Sequence, residues 1–120
     1  MRKIRIATLS VVATAVLLAW AVPAMAAHSR QAGTTVTVTA TEFKFVLSAK
    51  SVPHGTVTFK LINKGALGHD FSIDGKKTPV INPKATATLT VTFAKAGSYP
   101  YLCTVPSHAA AGMKGTLKVT

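Results

Sequence analysis

Three side chains able to bind a soft metal ion stand in the stretch YLCTVPSHAAAGM with four residues between each and the next: the Cys103 thiol, the His108 imidazole and the Met113 thioether. Cys103 is the only cysteine of the chain. One cysteine makes no internal disulfide, so its thiol is buried and inert, paired with another chain, or protected by a metal. An inert core thiol is the ordinary fate of a lone cysteine, and a methionine is often plain core filler. The spacing makes a metal the stronger reading. Thiolate and thioether sulfur favour copper(I), and imidazole suits both copper oxidation states.

A site of this kind needs a second imidazole. His69, in the stretch LGHDF, shares its parity with Phe71 and Ile73 and so points inward with them. Two imidazoles and a thiolate in a plane, with a weak axial methionine, describe the blue-copper electron-transfer site. Of the other histidines, His54 lies in a Pro-His-Gly turn and reads as solvated. His28 lies in a polar, small-residue segment near the start of the processed chain.

The elements that must position these groups are strands. Val36 and Val38 alternate with threonines, as do Leu89, Val91 and Phe93. Phe43, Phe45 and Leu47 alternate with Lys44 and Val46, and Val57, Phe59 and Leu61 with Thr58 and Lys60. Tyr99, Tyr101 and Cys103 share a face, and Leu117 and Val119 close the chain. Such a period of two puts one side of each strand inward and the other to water. Pro53-His54-Gly55, Asn63-Lys64-Gly65, Asp74-Gly75, Asn82-Pro83 and Ala96-Gly97 fall between the runs as turn signals. No sustained helical period occurs. Seven to eight short strands with regular turns predict an all-β sandwich or barrel. Pro106 stops ladder pairing after Cys103, and Gly112 and Gly115 permit a tight return, which gathers Cys103, His108 and Met113 on one loop at one end.

Residues 1–26 read as a secretory signal: basic Arg2, Lys3 and Arg5, an apolar run, then Pro23 and the small-residue pattern Ala24-Met25-Ala26. Residues 27–120 are then one domain, exported to the periplasm or the extracellular space, and membrane-associated only where the signal is retained. Three of the 14 basic residues lie in the signal, leaving 11 against three acids and a net charge of +8. Nucleic acid is a poor partner for this charge, because the lysines are spread along the chain with no basic helix. An acidic protein surface is the better match.

The sequence resembles the cupredoxins, small type 1 blue-copper proteins, on their plastocyanin and auracyanin side. The resemblance runs from about Val36 to Val119. Glu42-Phe43-Lys44-Phe45, Asn63-Lys64-Gly65, His69-Asp70-Phe71, Ala96-Gly97-Ser98-Tyr99, Cys103-Thr104-Val105-Pro106-Ser107-His108 and Gly112-Met113-Lys114-Gly115 carry it. It implies a Greek-key β-sandwich and one type 1 copper ion held by His69, Cys103, His108 and Met113. The gap from cysteine to histidine is longer than in plastocyanin, and the four-and-four spacing is that of auracyanin-like members. Ser107 stands where many relatives have glycine. Asp70 stands where plastocyanin and azurin have the asparagine that ties the two ligand loops together, and Asp70 to Thr104 is the expected equivalent contact.

The function expected is one-electron transport by a monomer that docks transiently with acidic redox partners. The exposed edge of His108, ringed by Pro106, Ala109–Ala111 and Leu67, would be the electron port. A copper chaperone or buffer without redox traffic is the alternative, but the chain has no methionine- or histidine-rich tract to support it. A metal-free interaction sandwich is a third reading. No enzyme is expected: multicopper oxidases need further histidine clusters, and neither His28 nor His54 belongs to one.

Overall fold

Period-two alternation becomes alternating burial in β1 (Thr34–Thr41), where Val36, Val38 and Ala40 are buried and Thr35 is exposed. The same rule shapes β4 (Gly55–Asn63) and β7 (Thr86–Phe93). The computed structural model describes residues 33–120. Residues 1–26, read above as the signal, and His28 lie outside the described residues, as does the start of the expected domain.

One sheet runs in the order β2 (Lys44–Leu47), β1, β4, β7. The other runs β3 (Ser51–Val52), β9 (Lys114–Val119), β8 (Gly97–Leu102), β5 (Ser72–Ile73), β6 (Lys76–Lys77). β1 lies parallel to β4, with Val36 opposite Phe59 and Val38 opposite Leu61. β3 and β9 are parallel too, while β4–β7 and β8–β9 are antiparallel. These registers stack Val36, Phe59, Leu61, Val91, Phe93 and Leu117 into one core between the sheets. Burying each such side chain is worth about 1.5–3 kcal/mol. The outer face of the first sheet is mostly threonine, a β-branched residue that fits a pleated, solvated surface.

The expected all-β sandwich is what forms, and no helix occurs among the described residues. The strands of the described residues number nine, against the seven or eight expected. β3, β5 and β6 have two residues each, too few for an alternation to register in sequence. Phe43, grouped above with Phe45 and Leu47, does not enter the core. It lies in the turn between β1 and β2 and is 39% exposed.

The end of the sandwich that carries the site is held without a long strand. His69 and Ile81 form an isolated antiparallel bridge, with N–H to carbonyl distances of 3.2 and 2.8 Å. Two residues on, the Thr78 amide donates to the Phe71 carbonyl and the Phe71 amide to Thr78 Oγ1. Phe71 then packs on Phe59 and Tyr101, ring centroids 5.1 and 5.4 Å away. His69 is thus anchored from both sides by backbone bonds and by an aromatic core beneath it.

Candidate metal centre

Cys103 follows β8, and Met113 precedes β9. The chain between them is folded on itself by backbone hydrogen bonds. The Cys103 amide donates to the Met113 carbonyl at 3.0 Å, the Met113 amide to the His108 carbonyl at 3.1 Å, and the His108 amide to the Val105 carbonyl at 3.1 Å. The three expected ligands of this loop are therefore coupled through their own main chain. Ser107 has φ 71°, in the left-handed region, which accounts for the glycine common there in the resembled family. Gly112 has φ 124°, and a Cβ there would press on the Phe43 carbonyl.

The loop brings His108 to His69 and Cys103. The two Nδ1 atoms are 3.1 Å apart, and the Cys103 sulfur is 3.6 Å from His108 Nδ1 and 4.0 Å from His69 Nδ1. All three residues are buried, and their donor atoms lie close enough together to hold one metal ion. The triangle can be tested against ordinary bond lengths, ~2.0–2.1 Å to nitrogen and ~2.3 Å to sulfur. One ion at roughly those lengths could reach all three donor atoms at once. The donor set fits copper: a soft thiolate with two imidazoles. Met113 is fully buried at the end of the same loop, and its thioether would be a further soft ligand for such an ion.

Burial pushes the Cys103 thiol above its ordinary pKa, and the Asp70 charge adds to this. Backbone N–H groups of Asp70 and Val105 pull the other way. Without a metal the sulfur therefore rests as the thiol, and a bound cation supplies the charge that makes a thiolate stable there.

The expected contact of Asp70 with Thr104 is present. The Thr104 amide donates to Asp70 Oδ1 at 2.6 Å, and its hydroxyl donates to Asp70 Oδ2. Asp70 is 1% exposed, so this pair joins the two ligand segments beside both His69 and Cys103. His54 is exposed, and its Nδ1 bonds the Thr120 carbonyl at 2.9 Å, which gives it a structural role far from the loop in sequence.

Two site residues were not assigned a role from sequence. Glu42 Oε1 lies 3.1 Å from His69 Nε2. The Phe43 ring stands edge-on to the His108 ring at 5.1 Å. Both belong to the Glu42-Phe43-Lys44-Phe45 motif, which was visible as a motif, but only the tertiary fold brings it within reach of His69, 27 positions later. His108 itself keeps 7% of its surface exposed. Phe43, whose ring packs on it, and Pro106, Ala110 and Ala111, near it in the chain, are exposed.

Comparison with known proteins agrees with this fold. A family model for the cupredoxin-like domain matches residues 11–119. No curated protein matches the sequence. Among solved structures, dithionite-reduced auracyanin from the photosynthetic bacterium Roseiflexus castenholzii is similar at 25% identity, with a TM-score of 0.64 over 73% of this chain and 98% of that one. Auracyanin A from Chloroflexus aurantiacus, described as a "blue" copper protein, shares the fold at 22% identity and a TM-score of 0.60, over 73% of this chain and 99% of that one. Copper nitrite reductase from Nitrosomonas europaea shares it at 24% identity and a TM-score of 0.58, over 72% of this chain but 41% of that larger one.

Proposed function

We propose, on the premise that this chain belongs to the cupredoxin-like family, that it is an exported one-electron carrier with a single type 1 copper ion in a site of His69, Cys103, His108 and Met113. The observation that carries the reading is the buried donor triangle, with sides of 3.1, 3.6 and 4.0 Å. Copper bound there supplies a one-electron couple between Cu(I) and Cu(II).

The residues of the chain supply the rest. His69 and His108 present Nδ1 inward, and Cys103 presents sulfur as thiolate after giving up its proton. The bridge to Ile81 and the Asp70–Thr104 pair hold these donors in place before a metal arrives. Little movement is then needed on a change of charge. Met113, fully buried where the ligand loop ends, would add a weakly binding thioether. His108, with Phe43 and the alanines after it, forms the surface where a partner can approach closely. Contacts of this kind are small and transient.

All ten lysines of the described residues are exposed, while Asp70, one of three acids, is buried. That excess draws an acidic redox partner. The same reading takes residues 1–26 as the secretory signal, residues 27–120 as the domain, and the working form as a monomer outside the cytoplasm. The chemistry is electron transfer and not catalysis.

The test is a Cu(II) titration of the purified protein followed in the visible, beside Cys103→Ser. The expected result is an intense thiolate-to-copper band that saturates at one equivalent, bleaches with a mild reductant and is absent in the variant. Lack of that band, with Cys103 still reactive toward a thiol reagent, would leave a copper buffer or a metal-free sandwich.

A further inference from the structure

Glu42 lies in the turn between β1 and β2, next to no other acid, yet its carboxylate meets one of the candidate ligands directly. Oε1 is 3.1 Å from His69 Nε2 and also accepts the amide N–H groups of Ala66 and Leu67 at 2.8 Å each. His69 itself has no exposed surface, and 28% of the Glu42 side chain is exposed. The opposite ring nitrogen, Nδ1, faces His108 and the Cys103 sulfur. One neutral imidazole carries one N–H. If Glu42 accepts it at Nε2, Nδ1 is left as a bare lone pair aimed at the donor triangle.

The turn that receives this carboxylate is shaped for it. Any Cβ at Gly65 would fall on the Glu42 carboxylate. Asn63, fully buried, bonds the Gly65 amide through Oδ1 and donates through Nδ2 to the carbonyls of Leu67 and Ile81. Ile81 is the bridge partner of His69. The turn that receives the Glu42 carboxylate and the bridge partner of His69 are therefore held by one side chain. The carboxylate that faces the ring is thus also held by two backbone N–H groups, those of Ala66 and Leu67.

We propose that Glu42 is a positioning residue for the metal centre: it locks His69 as the Nε2–H tautomer, with Nδ1 free to bind, and its negative charge favours the oxidised over the reduced ion. The second half rests on the copper reading above. The reason is electrostatic. A carboxylate bonded to the outer N–H of a ligating imidazole raises the basicity of the inner nitrogen. The more highly charged ion gains more from this, so the reduction potential is held down.

A pure turn staple is the rival, because two backbone amides also use the carboxylate. Glu42→Gln separates the two. Its amide oxygen can still accept from His69, Ala66 and Leu67, but the charge is gone. Glu42→Ala removes everything, and backbone amide spectra report whether the turn survives it.

The tautomer is read first, in metal-free protein, by long-range ¹H–¹⁵N correlation. Wild type is expected to show His69 as Nε2–H. Glu42→Gln should keep that form, and Glu42→Ala should mix the two. The potential is read second, in the copper-loaded protein. Loss of an outer partner weakens metal binding about 10–100-fold. A tenfold loss confined to Cu(II) raises a one-electron potential by about 59 mV, and Glu42→Gln is expected to show a rise of that order with its visible band retained. A potential that stays put or falls in Glu42→Gln overturns the electrostatic role, and Nδ1–H in wild type overturns the positioning role. If wild type binds no copper in a thiolate site, the carrier reading fails on its own, and the metal-free tautomer measurement still decides whether Glu42 positions His69.

Discussion

Asp70 accepts two hydrogen bonds from Thr104, one from its amide at 2.6 Å and one from its hydroxyl. Asp70 follows His69 in the chain, and Thr104 follows Cys103. Two neighbours of candidate ligands thus hold the ligands in register across a gap of 34 residues. Hydrogen bonds to a charged group contribute about 1.5–3 kcal/mol, so Asp70→Ala should lower stability by about 2 kcal/mol or more. Asp70→Asn keeps an acceptor and should recover part of that. Denaturant titration of the metal-free variants checks this, and equal losses in both would mean that the charge, not the bond to the Thr104 amide, holds the loops.

Cys103 sets the pH dependence. Its folded-state pKa is raised above the unfolded thiol value of about 8.5. The native state thus holds its proton where the unfolded state has lost it. That contribution is fully present below about pH 8.5 and is lost as pH rises through the folded value. Metal-free protein should therefore lose stability at alkaline pH, and Cys103→Ser should lose less. Copper binding displaces the same proton, so affinity should fall about tenfold per unit as pH drops from 8 to 7. A pH-independent affinity in competition titrations would mean that the sulfur does not bind as thiolate.

Ser107 occupies a left-handed backbone conformation, φ 71°. A residue with a Cβ loses roughly 1–2 kcal/mol there, and glycine returns part of the gain through its freer unfolded chain. Ser107→Gly should stabilise the fold by about 0.5–1 kcal/mol, raising Tm by a few degrees, roughly 4–8 °C per kcal/mol in a domain this small. A scanning calorimeter reads it. An unchanged or lower Tm would show that the Ser107 side chain does something the backbone angle does not reveal.

Met113 is fully buried, so its two roles can be parted by Met113→Leu. The swap nearly conserves volume and should cost less than about 1.5 kcal/mol in stability. If the thioether binds axially, the visible band should persist while the reduction potential moves, because the axial ligand tunes it. An unmoved potential would reduce Met113 to packing.

The exposed lysines should govern encounter rates. Reduced protein should react faster with an anionic oxidant such as ferricyanide than with a cationic complex of similar driving force, and added salt should narrow the gap as screening grows. Stopped-flow rates that ignore ionic strength would mean that the charge is spread too evenly to steer anything.

Strand by strand, the alternation of Val36 with Val38, of Val57, Phe59 and Leu61, and of Tyr99, Tyr101 and Cys103 was legible because a half-buried strand leaves a period of two in any sequence. Where a strand has two residues, as at Ser51–Val52 or Lys76–Lys77, there is no period to see. Phe43 misled for a related reason: it keeps the parity of Phe45, but the turn takes it out of the sheet.

The same division runs through the site. Cys103, His108 and Met113 could be found from spacing alone, since one loop carries all three, and His69 from its parity with Phe71. Sequence determined which side chains could bind a soft metal. Only the tertiary structure decided the distances among them, the pairing of Asp70 with Thr104, and the approach of Glu42 and Phe43 to the two imidazoles. The contacts of Asp70, Glu42 and Phe43 join residues 27 to 65 positions apart, and such closeness is settled by how two twisted sheets stack and not by any pattern along the chain.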